Sequence, residues 1–356
     1  MFHGIDHVEY WVGNAHAASY FFARALGFRP HAEAGLETGL RDRQSYAVTQ
    51  GSIRLIFTNP LKPDGPIADH VMEHGDAIRD VALAVDDAAE AFDRAIACGA
   101  EPVAEPHAER DERGEIRRAT VRVFGDTVHS LIERDEYRGD LLPGFRPWKT
   151  TSPVRSAHLT AIDHVACCIE AGTLDRWMEF YEKAFGFEQV HHEDVKTERS
   201  AMNSKVIGSP NGAIKFPLME PAPAKGKSQI DEFLEYNHGP GGQHLAMLSS
   251  DIVATTRALR ADGWIAFLET PSTYYDALPG RVGEIQEKVE DLRELNVLVD
   301  RDPWGYLLQV FTRPVTGKPT SFLEIVQRRG ARGFGGGNVR ALFEAVERAQ
   351  AARGNL

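Results

Sequence analysis

Cysteine is scarce in this chain: three among 356 residues, Cys98 and the adjacent pair Cys167 and Cys168. An odd count with two neighbours builds no disulfide framework. A reducing compartment, the cytoplasm, is therefore expected, with the thiols serving as small apolar core residues. Positive charge is short as well. Forty Lys and Arg against 52 Asp and Glu give a net charge of −12. Such a surface has no electrostatic case for nucleic acid or an anionic membrane, because phosphate contacts need a Lys/Arg surplus. No apolar run approaches the ~18–20 residues that cross a bilayer. The opening MFHGIDHVEYWVGN lacks the basic-then-apolar pattern of a secretory signal. What is present, 42% hydrophobic and 26% charged residues, suits a globular chain with a sizeable core. At ~150 residues per domain the length suggests two or so domains. Histidine is the residue in surplus: there are 14, several of them inside apolar segments.

An internal repeat organises the chain. GIDHVEYWVGNAHAASYFFARALGFRP from Gly4 to Pro30 is matched by AIDHVACCIEAGTLDRWMEFYEKAFGFEQV from Ala161 to Val190. Each reads as a strand, a polar break, an amphipathic helix and Gly-Phe. A second block follows in each half, Asp80–Val103 and His244–Leu268. It too reads as strand, Asp-capped helix, glycine and strand. Each half closes on strand patterns broken by Asp/Gly turns. The expected fold class is α+β, two homologous domains over residues 1–150 and 151–356, each with a curved sheet. The linker is placed within Tyr137–Thr160, where Pro143, Pro147 and Pro153 interrupt periodicity. Asn338–Gln350 reads as a closing amphipathic helix, capped by Asn338 or the glycines before it.

Three polar residues sit in strands that otherwise read as buried: His164 in IDHVA, His244 in QHLAM and Glu324 in FLEIV. Each alone has a plain explanation. A strand His is commonly a hydrogen-bonded structural residue, and a strand Glu can face solvent by alternation. Together they make a different case, because a buried carboxylate needs a partner. Two imidazoles and a carboxylate suit non-haem Fe(II), with zinc possible on the ligands alone. The first half offers His7 opposite His164, Asp80 opposite His244, and only Glu133 as a loose counterpart of Glu324. It reads as a degenerate copy. His70 and His74 read as an exposed helix face, and His191-His192-Glu193 as a solvated turn. The glycine-rich stretch Gly330–Asn338 lacks phosphate-loop spacing. It reads as a flexible loop carrying Phe334 and Asn338 toward a pocket.

The second half resembles the 4-hydroxyphenylpyruvate dioxygenase family, iron(II) enzymes of the vicinal-oxygen-chelate superfamily. The resemblance rests on IDHV (162–165), MNSKVI (202–207), KSQIDEFLEYNHGPGGQHLA (227–246), GYLLQVFTRPV (305–315) and PTSFLEIVQRRGARGFGGGNVRALFEAVE (319–347). GIDHVEYWVGNA and GLETGLRDR extend it into the first half. It implies paired βαβββ modules forming an open half-barrel in each domain, with the C-terminal helix over the site. It implies Fe(II) on His164, His244 and Glu324, a small aryl 2-oxo acid and O₂ as substrates, homogentisate as product, and a self-associating chain. Ser204, Gln243, Gln309 and Asn338 match the family's catalytic polar positions, and Gln229 a substrate-binding one. Phe311, Phe322 and Phe334 match aromatic walls.

Two positions depart from the family's pattern. Met219 stands where the family commonly has Asn, and Val339 where it commonly has Phe. The sister enzyme 4-hydroxymandelate synthase, which hydroxylates the benzylic carbon of the same substrate, tends to aliphatic residues at both. Gln327 and the GFGGGN loop resemble the dioxygenase more. A non-catalytic protein of the same fold, binding an aromatic ligand, is the remaining alternative; the complete triad speaks against it.

Overall fold

The computed structural model describes residues 1–139, 141–149 and 157–355. The expected boundary between residues 150 and 151 and Pro153 lie outside these. Each half is built from two βαβββ modules. In the first half, the strand Phe2–Trp11 leads to the helix Ala15–Ala25 and three strands. The strand Ala77–Val85 then leads to the helix Ala88–Ala97 and three more. The second half repeats this from Leu159–Cys168 and from Gly241–Ser249. Short polar side chains start the helices at the expected breaks: Asn14, Asp87 and Asp251 each accept a backbone N–H of the first turn.

Within each half the leading strands of the two modules pair antiparallel at the centre, Phe2–Trp11 with Ala77–Val85 and Leu159–Cys168 with Gly241–Ser249. Each leading strand also pairs in parallel with the last strand of its own module. The result is an open curved sheet whose outermost strands in the second half are Glu188–Lys196 and Leu298–Asp302. The helix Gly336–Ala352 packs between those two edges. Its Phe343 joins Val195, Met202, Met219 and Phe233, and its Leu342 joins Leu298, Phe311 and Phe322. The polar residues that alternate with core positions on the concave face therefore end up beneath a helical cover.

The halves share one apolar core, in which Phe2 packs edge-on to Phe187 and His129 meets Tyr181. Among the described residues a single bridge, Gly242 to Ile78, joins their sheets. Gly51 is required at another crossing: it has φ +58°, and an added Cβ would lie 2.3 Å from the carbonyl oxygen of Thr160.

Several expectations are corrected. The stretch read as linker contributes Arg146–Pro147 to the first-half sheet and Leu141 and Leu142 to a core cluster. Cys167 and Cys168 are buried, but Cys98 is exposed, because it falls at the C-terminus of a surface helix. Of the two caps expected for the terminal helix, Asn338 or a glycine before it, the glycine holds. That position belongs to Gly335, and Asn338 is wholly buried in the first turn. His70 and His74 are buried, not exposed, because the helix Pro66–His74 turns them toward Asp126 and the carbonyl of Asn237. Among the described residues no helix is long and apolar enough to cross a membrane.

Candidate metal centre

Strand register brings the three polar residues together. His164 lies opposite Ala246, and Ala246 lies beside Glu324 on the parallel strand Phe322–Arg329. His244 is two residues before Ala246, so alternation puts all three side chains on one face. They are 1–5% exposed. His164 Nε2 and His244 Nε2 lie 3.2 and 3.4 Å from the same oxygen, Glu324 Oε2. Donors at right angles around an ion, each ~2.1 Å from it, stand ~3 Å apart, so both imidazole–carboxylate spacings suit donors sharing one ion.

The surrounding contacts fix which atoms point inward. Asp163 Oδ2 accepts the His164 Nδ1–H at 2.8 Å, leaving Nε2 as the free donor atom. Asp163 is itself clasped by both arms of the Arg328 guanidinium, each at 2.8 Å, with Lys215 at 3.6 Å. The His244 Nδ1 is 3.1 Å from Gln243 Oε1. Gln309 Nε2 donates to Glu324 Oε1 at 2.8 Å, leaving Oε2 for the centre. The Asn338 amide lies 2.8 Å from the Gln309 amide and 2.7 Å from the Tyr274 hydroxyl.

Electrostatics show what the group lacks. Burial alone would lower His164 and raise Glu324, but their mutual contact outweighs it. His164 is held above its ordinary value and Glu324 is pushed down to about 2. His244 is lowered, by burial first. The trio therefore stabilises one added positive charge, and a divalent cation fits where a proton otherwise sits. The donor set, its spacing and its fixed orientation all suit a metal.

Around the donors is a cavity of about 50 Å³. Ser204, Gln229, Gln243, Gln309, Phe311, Phe334, Met219 and Val339 all line it. Two expected site residues, the wall Phe322 and the polar Asn338, do not. Phe322 lies behind His244, stacked on its ring at 4.6 Å, and Asn338 reaches the cavity only through Gln309. Gln327 is remote, accepting the Ile252 N–H at 2.6 Å. The loop before the terminal helix is pinned rather than free: Asp302 accepts the N–H groups of Arg332 and Gly333, and Arg328 donates to the Gly333 carbonyl.

The largest correction concerns His191 and Glu193. They lie in the strand Glu188–Lys196, half-buried and lining the cavity, while His192 points outward. Sequence reading missed them because three polar residues in a row resemble a turn. Period-two alternation through Val195 was the available signal.

Residues 161–310 and 6–116 each match the Glyoxalase/Bleomycin resistance protein/Dioxygenase superfamily. Curated proteins match over the whole chain. A 4-hydroxyphenylpyruvate dioxygenase from Neurospora crassa is 42% identical, covering 100% of this chain and 93% of its own. One from Yarrowia lipolytica is 42% identical over 100% and 94%. The chain belongs to the 4-hydroxyphenylpyruvate dioxygenase family. Among solved structures, a triple mutant of 4-hydroxymandelate synthase from Streptomyces coelicolor superposes with a TM-score of 0.89 at 42% identity, covering 98% of both chains. In a family of dioxygenases with this fold, the His164, His244 and Glu324 group is the candidate metal centre of this member.

Proposed function

We propose that this chain is an Fe(II)- and O₂-dependent oxygenase that converts 4-hydroxyphenylpyruvate and O₂ to homogentisate and CO₂, a step of tyrosine catabolism in the cytoplasm. The observation that carries this reading is the convergence of His164 Nε2, His244 Nε2 and Glu324 Oε2 in one buried pocket. Iron bound there supplies chelation of the 2-oxo acid and reduction of O₂, using the positions the three protein donors leave open.

The protein's part is to hold and to exclude. Asp163 and Gln243 keep both Nε2 atoms aimed at the centre. Gln309 holds the Glu324 carboxylate by one oxygen and is held in turn against Asn338, so the donor set does not rotate. Gln229 and Ser204 offer polar groups to the substrate; the Gln229 side-chain oxygen is buried without a hydrogen-bond partner among the described residues. Phe311 and Phe334 provide flat apolar walls, and Leu342 and Val339 from the terminal helix close the pocket to water. The division at residues 150 and 151 is part of the proposal, supported by the repeated modules. So is self-association, supported by the family resemblance and checked by sedimentation.

Met219 and Val339 line the same cavity and favour a second reading, benzylic hydroxylation to 4-hydroxymandelate. Both readings consume one O₂ and release one CO₂. Product identification after aerobic turnover by the iron-loaded chain separates them. Homogentisate supports the main reading, 4-hydroxymandelate the second, and no decarboxylation at all contradicts both.

A further inference from the structure

The first half repeats the metal centre position by position. His7 lies opposite Ala82, as His164 lies opposite Ala246. Asp80, two residues before Ala82, thus takes the place of His244. The pairing of Asp80 with Val128 and Leu83 with Leu131 puts Ser130 beside Ala82, in the place of Glu324. Glu133, the counterpart expected from sequence, is therefore out of register. On the next strand Arg118 lies opposite Ile132, as Gln309 lies opposite Val326, so Arg118 takes the place of Gln309. Arg134 likewise corresponds to Arg328.

The outer support survives unchanged in kind. Asp6 Oδ1 accepts the His7 Nδ1–H at 2.6 Å, and Arg134 clasps both Asp6 oxygens at 2.5 and 2.7 Å. His7 is 1% exposed, and its Nε2 has no hydrogen-bond partner among the described residues. It is held in the orientation of a ligand, as His164 is.

The centre itself has changed. Arg118 Nη2 donates to Ser130 Oγ at 2.9 Å and lies 3.5 Å from Asp80 Oδ2. Ser130 donates its backbone N–H to Asp80 Oδ1 at 2.9 Å and its hydroxyl to Oδ2 at 2.5 Å. We infer that Arg118 is a built-in cation standing where the second half holds its metal, so that the first half is a metal site closed by three residues, Asp80, Arg118 and Ser130. Two ligand positions have become the fixed partners of a guanidinium, and a divalent ion there would meet a like charge it cannot displace. This rests on reading the second-half trio as a metal centre.

Metal counting tests it, with Co(II) as the probe because it accepts the same donors and reports them by its visible absorption. Gel-filtered unmodified chain is expected to keep one Co(II), and the His244→Ala chain none. Adding Asp80→His, Arg118→Gln and Ser130→Glu to the His244→Ala chain is expected to restore one. If the unmodified chain keeps one and the restored, folded chain keeps none, the inference fails alone. If the unmodified chain keeps none, the second-half reading fails first. Co(II) held by the His244→Ala chain and lost on His7→Ala also overturns it, because the first half would then already bind metal. Should the restored chain not fold, the reverse exchange decides. A chain with His244→Asp, Gln309→Arg and Glu324→Ser is expected to fold with a melting temperature that chelator does not change; failure to fold contradicts the exchange of guanidinium for metal.

Discussion

Asp163 does more for the metal centre than its absence from the donor set suggests. It fixes the His164 tautomer, and Arg328 and Lys215 fix it in turn. Replacing such a partner typically costs ~10–100-fold in metal affinity. Asp163→Asn is therefore expected to weaken Fe(II) binding by about that factor in anaerobic calorimetry, while the chain stays folded; unchanged affinity contradicts the role. The Glu324 carboxylate first, and the Asp163 hydrogen bond after it, set a pH dependence. Metal must displace the proton that His164 holds with a raised pKa. Apparent affinity should thus fall as pH drops through that raised value and level off above it, with proton release on binding. Titrations in two buffers of different ionisation heat measure the released proton.

The His164, His244 and Glu324 positions were legible because polar residues interrupt apolar strands. Their meeting was not, since it depends on the register of strands far apart in sequence. His191 and Glu193 show the opposite failure: the alternation was present, but the run of polar residues concealed it.

At the scale of elements, the helix Gly336–Ala352 covers the pocket, with Val339 and Leu342 in its lining. Phe334 of the preceding loop lines the cavity with them, so a bound substrate lies against all three. Substrate analogue is expected to slow amide exchange across residues 336–352 more than in the central strands; no change there contradicts that contact. Phe343, 1% exposed, anchors the helix to the sheet. Phe343→Ala should lower stability by ~3–5 kcal/mol if helix and domain unfold together. A smaller loss in denaturant titration, with faster exchange confined to the helix, would mean that the cover frays independently. The helix's existence was plain from its apolar stripe. Of its two candidate caps the glycine serves, because Asn338, an apt capping residue, is drawn inward by Gln309 and Tyr274.

Across the whole molecule, the two halves share one apolar core. His129 from the first half is fully buried, with Nδ1 on the Val81 carbonyl and Nε2 2.8 Å from the Tyr181 hydroxyl of the second. Burial pushes it down to about 4, against an opposing hydrogen bond to Val81. The unfolded chain, with an ordinary histidine near ~6.5, takes up the proton first. Stability is therefore full above ~6.5 and declines as pH falls toward about 4, by up to roughly 3 kcal/mol from this residue. Denaturant titrations at both ends of that window should show the loss, and His129→Gln should flatten it. The duplication was readable from the repeated IDHV strands. The single shared core was not, because contacts between halves leave no periodic trace.

The proposed chemistry needs iron on one trio of side chains, His164, His244 and Glu324. The most direct measurement is anaerobic Fe(II) titration of the metal-stripped chain, followed by O₂ uptake with 4-hydroxyphenylpyruvate. One iron per chain is expected, with turnover rising in proportion and both lost in His244→Ala. Equal turnover without added iron, or in the His244→Ala chain, would contradict it.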